Sequence, residues 1–160
     1  IDGVMSGYLL LTGEEGLDLI NREKLQDKEV PFSETYAAMQ ALRFMWQYAE
    51  NRIDKEKLRQ SMRILLDRPE LADLVIADLA RWEDWSVQEQ LMDLYDTPDY
   101  NIPSIKRAVV RYMLVCSKNA PQGDAGKTPD YVESAKENLE ILRDKDPKTV
   151  KEAERFFFIN

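Results

Sequence analysis

The segment from Pro69 to Trp85, PELADLVIADLARWEDW, constrains the fold of this chain more than any other stretch. At the α-helical period, Leu71, Leu74, Val75, Leu79 and Trp82 fall on one arc, and Ala72, Ile76 and Ala80 widen it. Only a strip at Asp73, Ala77 and Arg81 is left for water. A helix this apolar needs partners on more than one side, which makes it the middle of a stack of helices and not the outside of a two-helix hairpin.

The segments on either side follow the same period. Val4 to Leu11 is a short apolar helix, and Thr12-Gly13-Glu14-Glu15 has the form of a capping box opening a second helix through Leu17, Leu19 and Ile20. Pro31 and Ser33 introduce a long helix that runs to Tyr48, with Ala37, Ala38, Ala41, Leu42, Phe44, Met45 and Tyr48 as its apolar residues. Asp54 is placed to cap the next, in which Leu58, Met62, Leu65 and Leu66 keep helical spacing. Ser86 and Glu89 repeat the capping-box pattern, opening a helix with Val87, Leu91, Leu94 and Tyr95. Pro103 opens a helix with a stripe of Ile105, Val109, Tyr112, Met113 and Cys116, and Pro129 and Pro147 open two more. Lys118 to Lys127, with Pro121, Gly123 and Gly126, is the flexible loop.

No stretch alternates apolar and polar residues long enough to make a strand. The expected fold is therefore all-α, with about eight to nine helices in stacked antiparallel hairpins. Helix starts at Ser33, Pro69 and Pro103 recur at intervals in the mid-thirties, each opening a unit of roughly two helices, which is the signature of stacked helical-hairpin repeats in an α-solenoid. A single helical-repeat domain over residues 1–160 follows. The chain opens at Ile1 without Met and ends in Phe156-Phe157-Phe158-Ile159-Asn160, so it reads as an excised piece of a longer protein. The phenylalanine run is either a last docked turn or the start of a further segment.

Composition narrows function mainly by exclusion. A chain of 160 residues can bury roughly 70% of its unfolded surface, enough for a true core. A formal net charge of −8 argues against a sequence-independent grip on nucleic acid, which needs clustered Lys and Arg. With no histidine and one cysteine, Cys116, the chain has no Ser-His, Cys-His or imidazole-metal chemistry and no internal disulfide. Cys116 shares an apolar stripe and behaves as a small hydrophobe. Asp96-Thr97-Pro98-Asp99-Tyr100-Asn101 supplies oxygen ligands but lacks the glycine and distant Glu of a calcium loop. Gly123-Asp124-Ala125-Gly126 lacks the Lys and Ser/Thr of a phosphate loop. No cofactor, metal or small-molecule ligand is indicated.

Leu79-Ala80-Arg81-Trp82-Glu83-Asp84-Trp85-Ser86-Val87-Gln88, together with the run from Ile105 to Leu114, resembles HEAT-type repeat sequence. In that family an acidic turn precedes a Val-Arg pair opening the second helix of each repeat. Asp84 and Val87 match the turn and the apolar position, whereas Gln88 stands where the family prefers Arg. The longer phrase RPELADLVIADLARWEDWSV, with SIKRAVVRYML after it, also resembles a helical region of envelope proteins of planctomycete-type bacteria. These resemblances imply an α-solenoid and a membrane tether outside this segment, and they bring no activity.

Asp78 is the most informative single residue, because its angle sets a carboxylate in the centre of the apolar arc, between Leu74, Val75, Leu79 and Trp82. Such a group needs a partner, and Arg81, Arg107 and Arg111 are the candidates. Arg107 and Arg111, one turn apart, could hold an anion, but the carboxylates that precede them, from Glu83 to Asp99, make pairing inside the protein the simpler reading. Trp82 and Trp85 flank Glu83 and Asp84 at a turn, with Trp82 inward and Trp85 half exposed. Glu83, Asp84 and Trp85 are thereby a candidate interaction surface.

The reading preferred from sequence is a non-enzymatic interaction or scaffold module for a protein or peptide partner. Its competitors are an enzyme fragment using Asp78, Glu83 and Asp84 as general acid and base, and a structural spacer in a larger envelope protein. An enzyme would show a deep pocket where carboxylates converge, a scaffold a broad groove, and a spacer neither.

Overall fold

Nine α-helices and no strand make up the described residues, 2–121 and 127–157, of the computed structural model. The all-α expectation holds. The loop glycines Gly123 and Gly126, and Phe158, lie outside the described residues, as do the side chains of Phe156 and Phe157. Among the described residues no helix is long and apolar enough to cross a membrane. The chain divides into two compact units, Ile1–Leu71 and Ala72–Asn160.

In the first unit, α1 (Asp2–Thr12) packs against α2 (Glu14–Ile20) and α3 (Phe32–Tyr48), and α3 packs on α4 (Lys55–Ile64). The expected capping box at Thr12 is absent. Gly13 stands at the N-cap of α2, at φ 66°, and the Thr12 hydroxyl turns back to donate to the Tyr8 carbonyl at 2.6 Å. A single residue between two helices leaves no room for the extended backbone that a Thr cap needs, and glycine alone takes this φ freely. Arg52 closes the end of α1 instead, its guanidinium donating to the carbonyls of Leu10 and Leu11 at 2.7 and 2.8 Å. Gly16 is buried because α2 lies against α1 there: a Cβ on it would sit 1.8 Å from the Thr12 hydroxyl oxygen.

Asp54 caps α4 as its sequence indicates, accepting from the Glu56 amide at 2.8 Å, and Leu58, Met62, Leu65 and Leu66 are all buried. In α3, Thr35 and Met39 join the buried face, while Tyr48, expected inward, is exposed in the last turn. Arg68 explains the burial of Thr35. It is itself buried, donates to the Val30 carbonyl at 3.0 Å and to the Thr35 hydroxyl, and pairs with Glu70 at 2.9 Å. Hydrogen bonding to the Glu70 backbone, helped by Arg68 and opposed by partial burial, holds the Glu70 carboxyl below its ordinary value.

The division between units falls in the first turn of α5 (Pro69–Arg81). The second unit continues through α6 (Gln88–Tyr95), α7 (Pro103–Ser117), α8 (Asp130–Lys145) and α9 (Pro147–Phe157). Here α6, α8 and α9 all pack against α7, which buries Val110 and Leu114 in addition to its expected stripe. Residues on more than one side of α7 are covered, so within this unit it takes the central place that its sequence gave no special reason to assign.

Leu71, Ala72, Val75, Ile76 and Leu79 of α5 are fully buried, with Trp82 just beyond them. Leu74 departs from expectation: it is 37% exposed and shares the wet strip with Ala77 and Arg81. Asp78 consequently lies at the border of the buried arc and not at its centre, one helical turn from the solvent strip.

Candidate functional site

The end of α5 is built by a Schellman closure. The Glu83 amide donates to the Ala80 carbonyl at 3.0 Å and the Asp84 amide to the Leu79 carbonyl at 2.8 Å. Closure requires Glu83 to sit at φ 54°, a conformation usually left to glycine. Its carboxylate accepts from the Asn119 side-chain amide at 2.9 Å. Asp84, which is buried, does the capping that Ser86 was expected to do: its carboxylate accepts from the Ser86 amide at 3.3 Å and from the Ser86 hydroxyl at 2.6 Å. A 3₁₀ turn, Trp85–Val87, intervenes before α6, so the helix begins two residues past the proposed cap.

Trp85 is half-buried against Tyr112, edge to face with ring centroids 5.2 Å apart, and stacks more loosely on Tyr131 at 6.4 Å. Its indole N–H donates to the Asn119 side-chain oxygen at 3.2 Å, and the Tyr131 hydroxyl donates to the Asn119 carbonyl at 3.0 Å. Gln88 donates to the Tyr131 carbonyl at 2.9 Å and accepts from Asn138 at 3.0 Å. Gln88 thus links α6 to α8. Cys116 is buried beside it, and burial pushes the thiol up to about 11, so it is not a thiolate nucleophile near neutral pH. Asn119, Tyr131 and Asn138 carry no local motif, and nothing in their sequence neighbourhood singles them out.

A groove of about 420 Å³ opens between α5 and α7. Its floor is apolar, with Ile76, Ala77 and Ala80 from α5 and Ala108 and Val115 from α7. Alanines at these positions leave the space that larger side chains would fill. Arg81, Arg107 and Arg111 line it, facing a single carboxylate, Asp73.

Comparison of the chain with known protein families, curated proteins and solved structures finds no match. The geometry therefore stands by itself. Of the three arginines, Arg81 donates to Asp78 at 3.0 Å; Asp78 is fully buried, whereas the Arg81 side chain is 68% exposed. Arg107 approaches Glu152 of α9 at 3.8 Å, a partner that lies after it in the chain and not among the carboxylates between Glu83 and Asp99. Arg111 makes no ion pair or hydrogen bond among the described residues. The structure so brings Arg81, Arg107 and Arg111 to one groove, but sets Glu83, Asp84 and Trp85 in the turn network beyond the end of α5 and not on that groove.

Among the described residues, no three Cys, Asp or Glu side chains are grouped to hold a metal ion. The Asp96–Asn101 segment forms a 3₁₀ turn, Pro98–Tyr100, and Asp96 pairs with Lys145 at 2.9 Å. A second charged cluster lies nearby: Tyr95 donates to Asp146, which also accepts from the Thr149 amide at 3.3 Å as the cap of α9. Burial, with help from the hydrogen bond to Asp146, pushes the Tyr95 hydroxyl well above its ordinary value. Burial alone would raise Asp146, but hydrogen bonds from Tyr95 and Thr149 outweigh it and hold the carboxyl below its ordinary value.

Proposed function

We propose that this chain is a non-enzymatic interaction module of the helical-repeat kind, whose working surface is the groove between α5 and α7. The observation that carries the reading is the groove itself: an open, apolar floor of small side chains rimmed by guanidinium groups. Soluble helices normally fill such space, and an unfilled apolar surface with a polar rim is the form taken by protein-binding sites.

The carboxylates that an acid-base enzyme would need support the same side. Asp78 is engaged by Arg81, Glu83 by Asn119, and Asp84 by Ser86, so each has a structural task, and they do not converge on the groove. The helical-hairpin character is supported by the helix starts at Phe32, Pro69 and Pro103, which recur at the spacing of stacked helix pairs.

A photocrosslinking amino acid placed at Ala77, which is exposed, tests this in cells of the source organism. The same group placed at Ile141, half exposed on α8 away from the groove, is the control. The expected result is a discrete protein adduct from position 77 that position 141 does not form. Equal labelling from the two positions would remove the groove as an interaction surface.

A further inference from the structure

We infer that the groove between α5 and α7 takes an acidic peptide segment anchored by an aliphatic or aromatic side chain, with Arg111 and Arg107 reading its carboxylates. The inference rests on the interaction reading above and names the chemistry of the partner.

Charge complementarity selects this occupant. In a chain of net charge −8, three arginines face one groove across from a single carboxylate. They are not equally committed: Arg81 is held by buried Asp78 at 3.0 Å, Arg107 has a long 3.8 Å contact with a Glu152 side chain that is 40% exposed, and Arg111 has no charged partner among the described residues. Arg107 and Arg111 lie one turn apart on α7, so their forks can engage carboxylates spaced along one short segment. The planar guanidinium keeps its charge at any physiological pH and matches a carboxylate bidentately.

The floor requires the other half of the ligand. Ala77, Ala80, Ala108 and Val115 offer no hydrogen-bonding side chain, and of the two hydroxyls that line the groove, Ser104 and Tyr112, the second already donates to the Asp84 carbonyl, so a wholly charged segment would leave most of this surface wet or bare. One aliphatic or aromatic residue between acidic neighbours covers it while its flanking carboxylates reach the arginines. A volume of about 420 Å³ accommodates such an anchor and its neighbours, not a folded domain.

A random-peptide display library panned against the full chain tests the assignment, with Arg111→Glu and Ala77→Trp variants panned in parallel. Far-UV circular dichroism and thermal melting confirm that each variant is folded. The expected pool is enriched in Asp and Glu beside an aliphatic or aromatic residue, and its members lose about tenfold or more in affinity on either substitution. Gln versions of the enriched acidic residues should bind as weakly as Arg111→Glu does.

A neutral or basic pool that is still blocked by Ala77→Trp would overturn the acidic assignment and leave the groove as an interaction surface. A pool indifferent to Ala77→Trp would overturn the assignment too, and crosslinking from position 77 then judges the interaction reading independently. Arg111-dependent protection by inorganic phosphate or phosphatidylglycerol vesicles, with no acidic peptide enriched, would replace the peptide by a phosphate-bearing ligand.

Discussion

Arg81 reaches back one turn of α5 to Asp78 at 3.0 Å, so that one partner of the pair is fully buried and the other stands 68% in water. The asymmetry decides what each substitution does. Removing Asp78 leaves a guanidinium that water can solvate, whereas removing Arg81 leaves a buried carboxylate one donor short. Arg81→Ala is expected to cost about 1–3 kcal/mol, more than the ~1 kcal/mol ceiling of an ordinary surface pair. Urea denaturation measures this, and Asp78→Asn should cost less in the Arg81→Ala background than in the parent chain. An Arg81→Ala variant as stable as the parent would show that Asp78 does not need this contact.

Gly16 marks a close approach of α1 and α2. A Cβ there would meet the Thr12 hydroxyl oxygen at 1.8 Å, the Thr12 Cβ at 2.8 Å and the Tyr8 ring at 2.9 Å. Gly16→Ala should therefore destabilise by about 1–3 kcal/mol, against the usual gain from replacing a helical glycine. Thr12→Ala in the same chain removes the nearest atom but not the next two, so it should restore part of the loss. Melting temperatures of the four chains of this cycle check it.

Glu83 occupies the left-handed position of the Schellman closure with a side chain that carries a steric penalty there. Glu83→Gly should raise stability by about 0.5–1 kcal/mol, the relief of that penalty less the lost exposed hydrogen bond from Asn119. Thermal unfolding distinguishes this from the opposite outcome, a fall in stability, which would mean that the Asn119 contact outweighs the backbone term.

The pair Tyr95 and Asp146 sets limits on both sides of the pH range. Asp146 is held below its ordinary value in the folded chain, as is Glu70, so their contribution is present above the unfolded pKa of about 4 and is lost as pH falls through the folded values. Tyr95 is raised, so its contribution is present below the unfolded pKa of about 10 and is lost as pH rises above it. The raised thiol of Cys116 adds to the alkaline loss in the same sense. Stability measured by chemical denaturation should be flat from about pH 5 to pH 8 and fall on either side. Tyr95→Phe should shallow the alkaline fall and leave a remainder from Cys116; an unchanged alkaline slope would contradict the role given to this hydroxyl.

What could be read from the sequence was whatever is decided within a few residues. Helical period placed Leu58, Met62, Val109 and Met113 in the interior, and prolines at 69, 103 and 147 marked helix starts because their fixed φ and missing N–H suit a first turn. Asp54 could be recognised as a cap because a cap bonds only two or three residues ahead. Asp78 could be paired with Arg81 for the same reason, as a neighbour one turn away.

Tertiary structure decided the rest, because it depends on which surfaces meet. Thr12 and Ser86 both carry a capping pattern, yet Gly13 and Asp84 begin those segments, since the tightness of each turn is set by the helices it joins. Leu74 is as apolar as Leu71, but a helix can bury only the arc its neighbours cover, so one leucine is enclosed and the other is wet. Arg107 and Arg111 are an unremarkable pair along the chain. The groove they share with Arg81 exists because small residues from two helices some thirty positions apart lie opposite each other, and a space between side chains has no sequence of its own.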